Sequence, residues 1–393
     1  MSVQVSSGKQ FIFFLILGII LLIGIEVSLH ITYLFSMECD SLNSSFFDYF
    51  SEYDKQVLCR EYTLANDVSM FDAPVRLHVP DQHGKYVNIN SDGWRGEEIK
   101  FLDDEYRIFF FGGSTAFGNI STSDETTIPG YLEKKLRDEG YNVKVINVGV
   151  SGAATIDEFY VLENLILRFD PDMVIMYDGW NDVAGFNLTK FNIPYQEFIL
   201  NDALLNNMSF DRFNSSSGSG SGLIKFFERI NFKTGIGLFI FYKNIVNEQP
   251  TLENIDNSKL DVKKGKVDPK IVEFIQNYMK KYWSKTCELG QTNDFTVVNF
   301  IQPILGTSDR VIGDDEKRIM NDTSFINEYS TYLREINLNT GEVKYCDNIF
   351  DLRNSFSEMN GINIYLDEGH MSDFGNEIMA DSIYNKIFPM IPH

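Results

Sequence analysis

Residues 106–118 read Y-R-I-F-F-F-G-G-S-T-A-F-G, and this stretch decides the fold. The run 107–111 is continuously apolar after its arginine and stops on Gly112-Gly113, the pattern of a strand buried on both faces that ends in a sharp turn. Working outward, 127–139 predicts a helix, with Pro129 early and Gly140 just past the end. A second strand is expected over 144–150 (KVINVGV). Thr155 with Glu158 three residues on then forms an expected capping box, opening a helix that reaches Phe169. A third strand follows at 173–177 (MVIMY) and a fourth at 295–301 (FTVVNFI), with short further strands near Val343 and Ile349 and a last helix from Ser372 to about Ile387. Strands alternating with helices predict an α/β fold, a parallel sheet covered on both faces.

Two stretches break the alternation. Residues 36–105 carry few regular signals beyond a turn at Ser91-Asp92-Gly93, and suggest a segment wrapping the sheet. Residues 186–265 form an insertion with a flexible link, NSSSGSGSG, at 214–222. Beyond that link, 223–246 is the most basic apolar stretch of the chain, read either as helices packed on the core or as a lid that touches a membrane surface.

The 393 residues, 44% hydrophobic and 14% aromatic, suffice for a large core and exclude a disordered chain. With 56 Asp and Glu against 34 Lys and Arg, the net charge of -22 opposes a nucleic-acid partner. Four cysteines without a C-x-x-C or a Cys/His cluster give no reason to expect a metal, and no cofactor motif is present. Residues 1–10 include Lys9, 11–35 are almost wholly apolar, and acidic residues follow. About 25 residues at about 1.5 Å each can cross a bilayer. No alanine precedes Ala65, so a cleavage site of the A-x-A kind is missing, and an uncleaved transmembrane anchor is expected. Lys9 before the span places residues 1–10 in the cytoplasm and the body outside it. In such a compartment two bridges, Cys39 with Cys59 and Cys287 with Cys346, are one of the three pairings that four cysteines allow, with free buried thiols as the alternative.

Three groups of residues carry chemistry. Ser114 follows the first strand, where open parallel sheets meet their ligands. A phosphate loop would need G-K-[ST] after the glycines, and the α/β-hydrolase elbow would need a glycine where Ala116 stands. Near the C-terminus 366–370 reads L-D-E-G-H, so Asp367 can orient one nitrogen of His370 while the other faces a serine. Of the five histidines, His30 lies in the anchor, His78 and His83 in the wrapping segment, and His393 at the terminus. Finally, Asn181 follows the third strand and Gly152 the second. An Asn amide together with backbone amides can stabilise a tetrahedral oxyanion, although glycines at strand ends can also be plain turns.

Ser114, Gly152, Asn181 and His370, each in order at a strand end or in the last loop, resemble the four blocks of the SGNH (GDSL-like) hydrolases over about residues 106–390. The resemblance implies a three-layer α/β/α, flavodoxin-like domain over 106–393 and a Ser-His-Asp triad of Ser114, His370 and Asp367. It also implies an oxyanion hole formed by the Ser114 and Gly152 amides and the Asn181 side chain. Gly113 and Thr115 replace the Asp and Leu of the family's first block, which bears on subfamily and substrate. The implied partner is an acyl ester of a glycan or lipid. Its hydrolysis by an extracytoplasmic esterase is the leading expectation, with O-acyl transfer to a surface polysaccharide or a noncatalytic ectodomain as alternatives.

Overall fold

The structure, a computed structural model, describes residues 6–36, 39–66, 68–71, 75–188, 267–322 and 326–392. The stretch 223–246, read as core-packed helices or as a lid, therefore lies outside the described residues. The chain divides into two units, one of which contains the N-terminal helix and the other the body from Cys39.

The N-terminal helix runs Ser7–Ser36. Its window Ser7–Ser28 has a mean hydropathy of 2.8, with Phe, Leu and Ile exposed on every face, so it is long and apolar enough to span a membrane. A signal sequence meets the same test.

The body is built on strands β1 (Val68–Phe71), β2 (Val75–His78), β3 (Gln82–His83), β4 (Asn88–Ile89), β5 (Tyr106–Gly112), β6 (Val143–Asn147), β7 (Met173–Asp178), β8 (Thr296–Ile301) and β9 (Ile349–Asp351). Five of them make one sheet in the order β6-β5-β7-β8-β9, every neighbouring pair parallel. Successive side chains alternate between faces. Phe109, Phe111, Val174, Met176, Val297 and Ile301 point to one side, towards the helices Thr155–Asn164 and Pro269–Thr292. Ile108, Phe110, Ile175, Tyr177, Val298 and Phe300 point to the other, towards Ile128–Asp138 and Asp373–Ile387. Three layers and two cores result, and truncating a wholly buried ring such as Phe110 to alanine would cost roughly 3–5 kcal/mol.

Most sequence expectations correspond to elements here, with four corrections. The second strand stops at Asn147, because Asn147 Oδ1 turns back to accept from the Gly149 amide at 3.0 Å. The residue closing the Thr155 helix is Asp157, whose Oδ2 accepts from the Ala154 amide at 3.0 Å, while Glu158 turns inward and is buried. That helix ends at Asn164, and a separate 3-10 turn, Ile166–Phe169, completes the stretch. Val343 makes only an isolated bridge with Thr340. Thr127 and Ser372 cap their helices by accepting from the amides three residues ahead.

The wrapping segment has more structure than its sequence suggests. It holds the helix Glu52–Ala65, capped by Ser51, and two antiparallel hairpins, β1-β2 and β3-β4. Disulfides join Cys39 to Cys59 and Cys287 to Cys346.

Candidate active site

Because β5 lies between β6 and β7, the chain leaves β5 towards one side and returns on the other. The loops after β5 and β7 therefore diverge, and a crevice opens at the carboxyl ends of the strands. Ser114 stands at that point, 8% exposed, as the first residue of the single turn Ser114–Phe117.

Groups far apart in sequence hold the Ser114 turn. The buried Arg95 donates through Nη1 to the Phe117 carbonyl at 2.8 Å and the Gly118 carbonyl at 2.6 Å, and pairs with Asp124 at 2.9 Å. Tyr62 donates its hydroxyl to Gly118 O at 2.8 Å, and Asn147 donates to Ala116 O at 3.0 Å. Thr115 donates to Gln302 Oε1 at 2.9 Å and so ties the turn to the end of β8. The wrapping segment thus fixes the serine loop, a role its sequence did not reveal.

The arms after β6 and β7 meet over Gly113. The Val150 amide donates to Gly112 O at 3.0 Å, and Gly152 follows with φ +75°, a conformation that favours glycine. Asn181 donates through Nδ2 to Ala153 O at 2.7 Å. A Cβ on Gly113 would lie 2.0 Å from that same nitrogen, so only glycine admits the amide at this point. One of its two hydrogens goes to Ala153, which leaves the other for a further acceptor.

The last arm brings the histidine. Asp367 Oδ1 accepts from the amides of Gly369 and His370 at 3.0 and 2.7 Å, and its Oδ2 bonds His370 Nδ1 at 2.7 Å. Ser41 also donates to Oδ2, at 3.3 Å. The Leu305 amide, beyond β8, donates to Glu368 O at 3.0 Å and draws the loop to the same edge of the sheet. The Trp180 ring packs edge-on to His370 with centroids 5.3 Å apart and fills the space a side chain at Gly369 would take. Consecutive residues therefore bracket the site, with Trp180 against the histidine loop and Asn181 against the serine loop.

Burial disfavours the imidazolium of His370, but the charge and hydrogen bond of Asp367 outweigh it and hold the ring above its ordinary pKa. Burial likewise opposes the Asp367 carboxylate, yet His370 and the two amides hold it below its usual range. His370 Nε2 is buried and makes no hydrogen bond, so the structure joins His370 to Asp367 but does not join His370 to Ser114 by a hydrogen bond. A cleft of about 550 Å³ lined by Asp40, Ser41, Asp315, Arg318 and Glu368 reaches Asp367 but neither Ser114 nor His370, which separates it from the crevice.

Beneath Asn181 lies a set of buried carboxyls that sequence reasoning passed over. Asp182 accepts from the Thr155 hydroxyl, from the Thr155 amide at 3.2 Å and from the Gly179 amide at 3.2 Å, and so links the arms that carry Gly152 and Asn181. Burial pushes its pKa up to about 6. Asp178 accepts from Trp283 Nε1 at 2.6 Å and is pushed up to about 8, by burial and then by the charge of Asp182. Glu158 is likewise held well above its ordinary value, by burial and then by the charge of Asp178.

No family model and no curated protein matches the chain. Among solved structures, the acetyl xylan esterase AlAXEase matches with 16% identity over 71% of this chain and 98% of its own, at a TM-score of 0.36. The acetylxylan esterase Axe2 from Geobacillus stearothermophilus matches with 13% identity over 72% and 94%, also at 0.36. TesA matches with 11% identity over 72% and 99%, at 0.37. At such TM-scores the chemistry of the site rests on the residues of this chain.

Proposed function

We propose that the chain is a serine ester hydrolase, anchored by its N-terminal helix and acting outside the cytoplasm on O-acyl esters of glycans or lipids. The observation that carries this reading is the His370 ring, held by Asp367 through Nδ1 with Nε2 unpartnered, at the sheet edge where Ser114 begins its turn. In the reaction His370 Nε2 accepts the Ser114 Oγ proton as the oxygen attacks the ester carbonyl. Negative charge then develops on the carbonyl oxygen. The second Asn181 amide hydrogen and the Ser114 and Gly152 amides are the donors proposed to meet it. The imidazolium returns its proton to the departing alkoxide, and an acyl-enzyme remains. Water, activated by the same ring, releases the acid and restores Ser114.

Two features support the location. The window Ser7–Ser28 of the N-terminal helix offers lipids an exposed apolar surface, and both cysteine pairs are disulfides, which persist in oxidising compartments. The test is to incubate full-length protein in neutral detergent with short and long acyl esters and with acetylated glycans, measuring both released acid and acyl transfer to added alcohols. Turnover with acid release is expected. Absence of turnover on every ester would overturn the reading, and transfer without release would replace hydrolysis by transfer.

A further inference from the structure

Beside the Gly113, Ala153 and Asn181 cluster lies a cation, Arg76, from a hairpin that the proposed mechanism does not use. In β2, Val75 and Leu77 are buried in the core, and Arg76 between them lies half-buried. Its guanidinium rests on the bare α-carbon of Gly152. A Cβ there would stand 3.3 Å from Nη2, 3.4 Å from Nη1 and 3.8 Å from Cζ. Gly152 adjoins Ala153, whose carbonyl accepts from Asn181 and lies 3.2 Å from where a Cβ of Gly113 would be. Arg76 therefore stands one residue away from the cluster that flanks Ser114.

Among the described residues Arg76 has neither a hydrogen bond nor an ion pair. The carboxylate it influences is Asp157, but Asp157 Oδ2 is spent on the Ala154 amide at 3.0 Å. This contrasts with Arg95, Arg310 and Arg353, each of which is paired with a carboxylate. In a chain of net charge -22 carboxylates are plentiful, yet among the described residues none forms an ion pair with this guanidinium, and Asp157 acts on it only at longer range. A guanidinium presents a planar fork of donors that fits a carboxylate or a phosphate through two parallel hydrogen bonds.

We propose that Arg76 is an anion-recognition residue and that the substrate is an ester carrying a carboxylate or phosphate close to its scissile bond. The proposal rests on the esterase reading for the word substrate, while the anion site itself is open to a binding measurement that needs no chemistry. Four probes distinguish the sources. Phenyl acetate is neutral, 3-acetoxybenzoate carries a carboxylate on the alcohol side, monophenyl succinate carries one on the acyl side, and 3-acetoxyphenyl phosphate carries a phosphate.

Full-length protein in neutral detergent is expected to favour at least one charged probe over phenyl acetate in kcat/KM, through KM and less so at high salt. Arg76→Gln should then reduce kcat/KM on that probe about 10- to 100-fold more than on phenyl acetate, the range for one charge-assisted pair, and Arg76→Lys should restore part of the difference. In parallel, benzoate and phenyl phosphate are titrated into the parent and Arg76→Gln proteins by calorimetry, with at least one binding about 10-fold more weakly to the variant. Equal losses on neutral and charged probes would overturn the proposal, as would a parent with no preference among them. If no ester is turned over, the esterase reading falls alone, and calorimetry decides the anion site. Equal anion binding by parent and variant would then refute it.

Discussion

Gly113→Ala asks whether the space above Gly113 belongs to an oxyanion donor. Gly113 has φ -78° and extended ψ, so alanine meets no backbone strain and the added methyl acts by contact alone. That methyl would sit 2.0 Å from Asn181 Nδ2, which must withdraw by about 1.5 Å to reach ordinary contact. Withdrawal breaks the 2.7 Å bond to Ala153 O and moves the second amide hydrogen away from the crevice. A displacement of about 1 Å can cost about 10²-fold, and loss of one oxyanion donor about 10²- to 10³-fold in kcat. We therefore expect Gly113→Ala to lower kcat on phenyl acetate about 10²- to 10³-fold, with KM changed by less than about threefold and the melting temperature within a few degrees of the parent. Asn181→Ala should cost a similar amount, and the double variant no more than the larger single loss, because both changes remove one group. Parental turnover by Gly113→Ala would refute the reasoning, as would losses that multiply in the double variant.

Other consequences follow from the same structure. His370 acts as a base only when neutral and is held above its ordinary pKa, so kcat/KM should rise with pH through a midpoint above about 6.5. Asp367→Asn should lower that midpoint and cut kcat by about 10⁴-fold, to be checked by pH–rate profiles. Asp178 binds a proton in the folded state up to about pH 8 that the unfolded chain releases near its ordinary value of 3.8. Its contribution to stability therefore declines as pH rises from about 4 to about 8, and Asp178→Asn, which keeps an acceptor for Trp283, should flatten the fall of melting temperature over that window. Full-length protein should stay with membranes through an alkaline carbonate wash, whereas a chain lacking residues 1–36 should not. A mature N-terminus between residues 25 and 45 would instead identify a cleaved leader.

What the sequence made legible was local. Ile108–Phe111 with its glycine stop marks β5, Thr127 and Ser372 mark helix starts, and Asp367 lies three residues from His370, close enough to bond within one loop. The Asp268-Pro269 start of the long helix Pro269–Thr292 is a local signal of the same kind, with buried residues at helical spacing from Val272 through Cys287. Other features have no local signature. Thr155 and Glu158 fit a capping box by spacing, but burial of Glu158 against Asp178 leaves the cap to Asp157. That Arg95 would hold the Ser114 turn, that Asn181 would fill the space over Gly113, or that Arg76 would lie on Gly152 depends on how the sheet brings separate loops together.

The central claim is that Ser114 is a nucleophile activated by His370. It is tested most directly by treating full-length protein with a fluorophosphonate probe and mapping the modified peptide by mass spectrometry, alongside Ser114→Ala and His370→Ala. The account predicts one adduct on Ser114, absent from Ser114→Ala and slowed by at least about 10³-fold in His370→Ala, with ester turnover lost in parallel in both variants. Labelling at another residue, or parental turnover by Ser114→Ala, would contradict it.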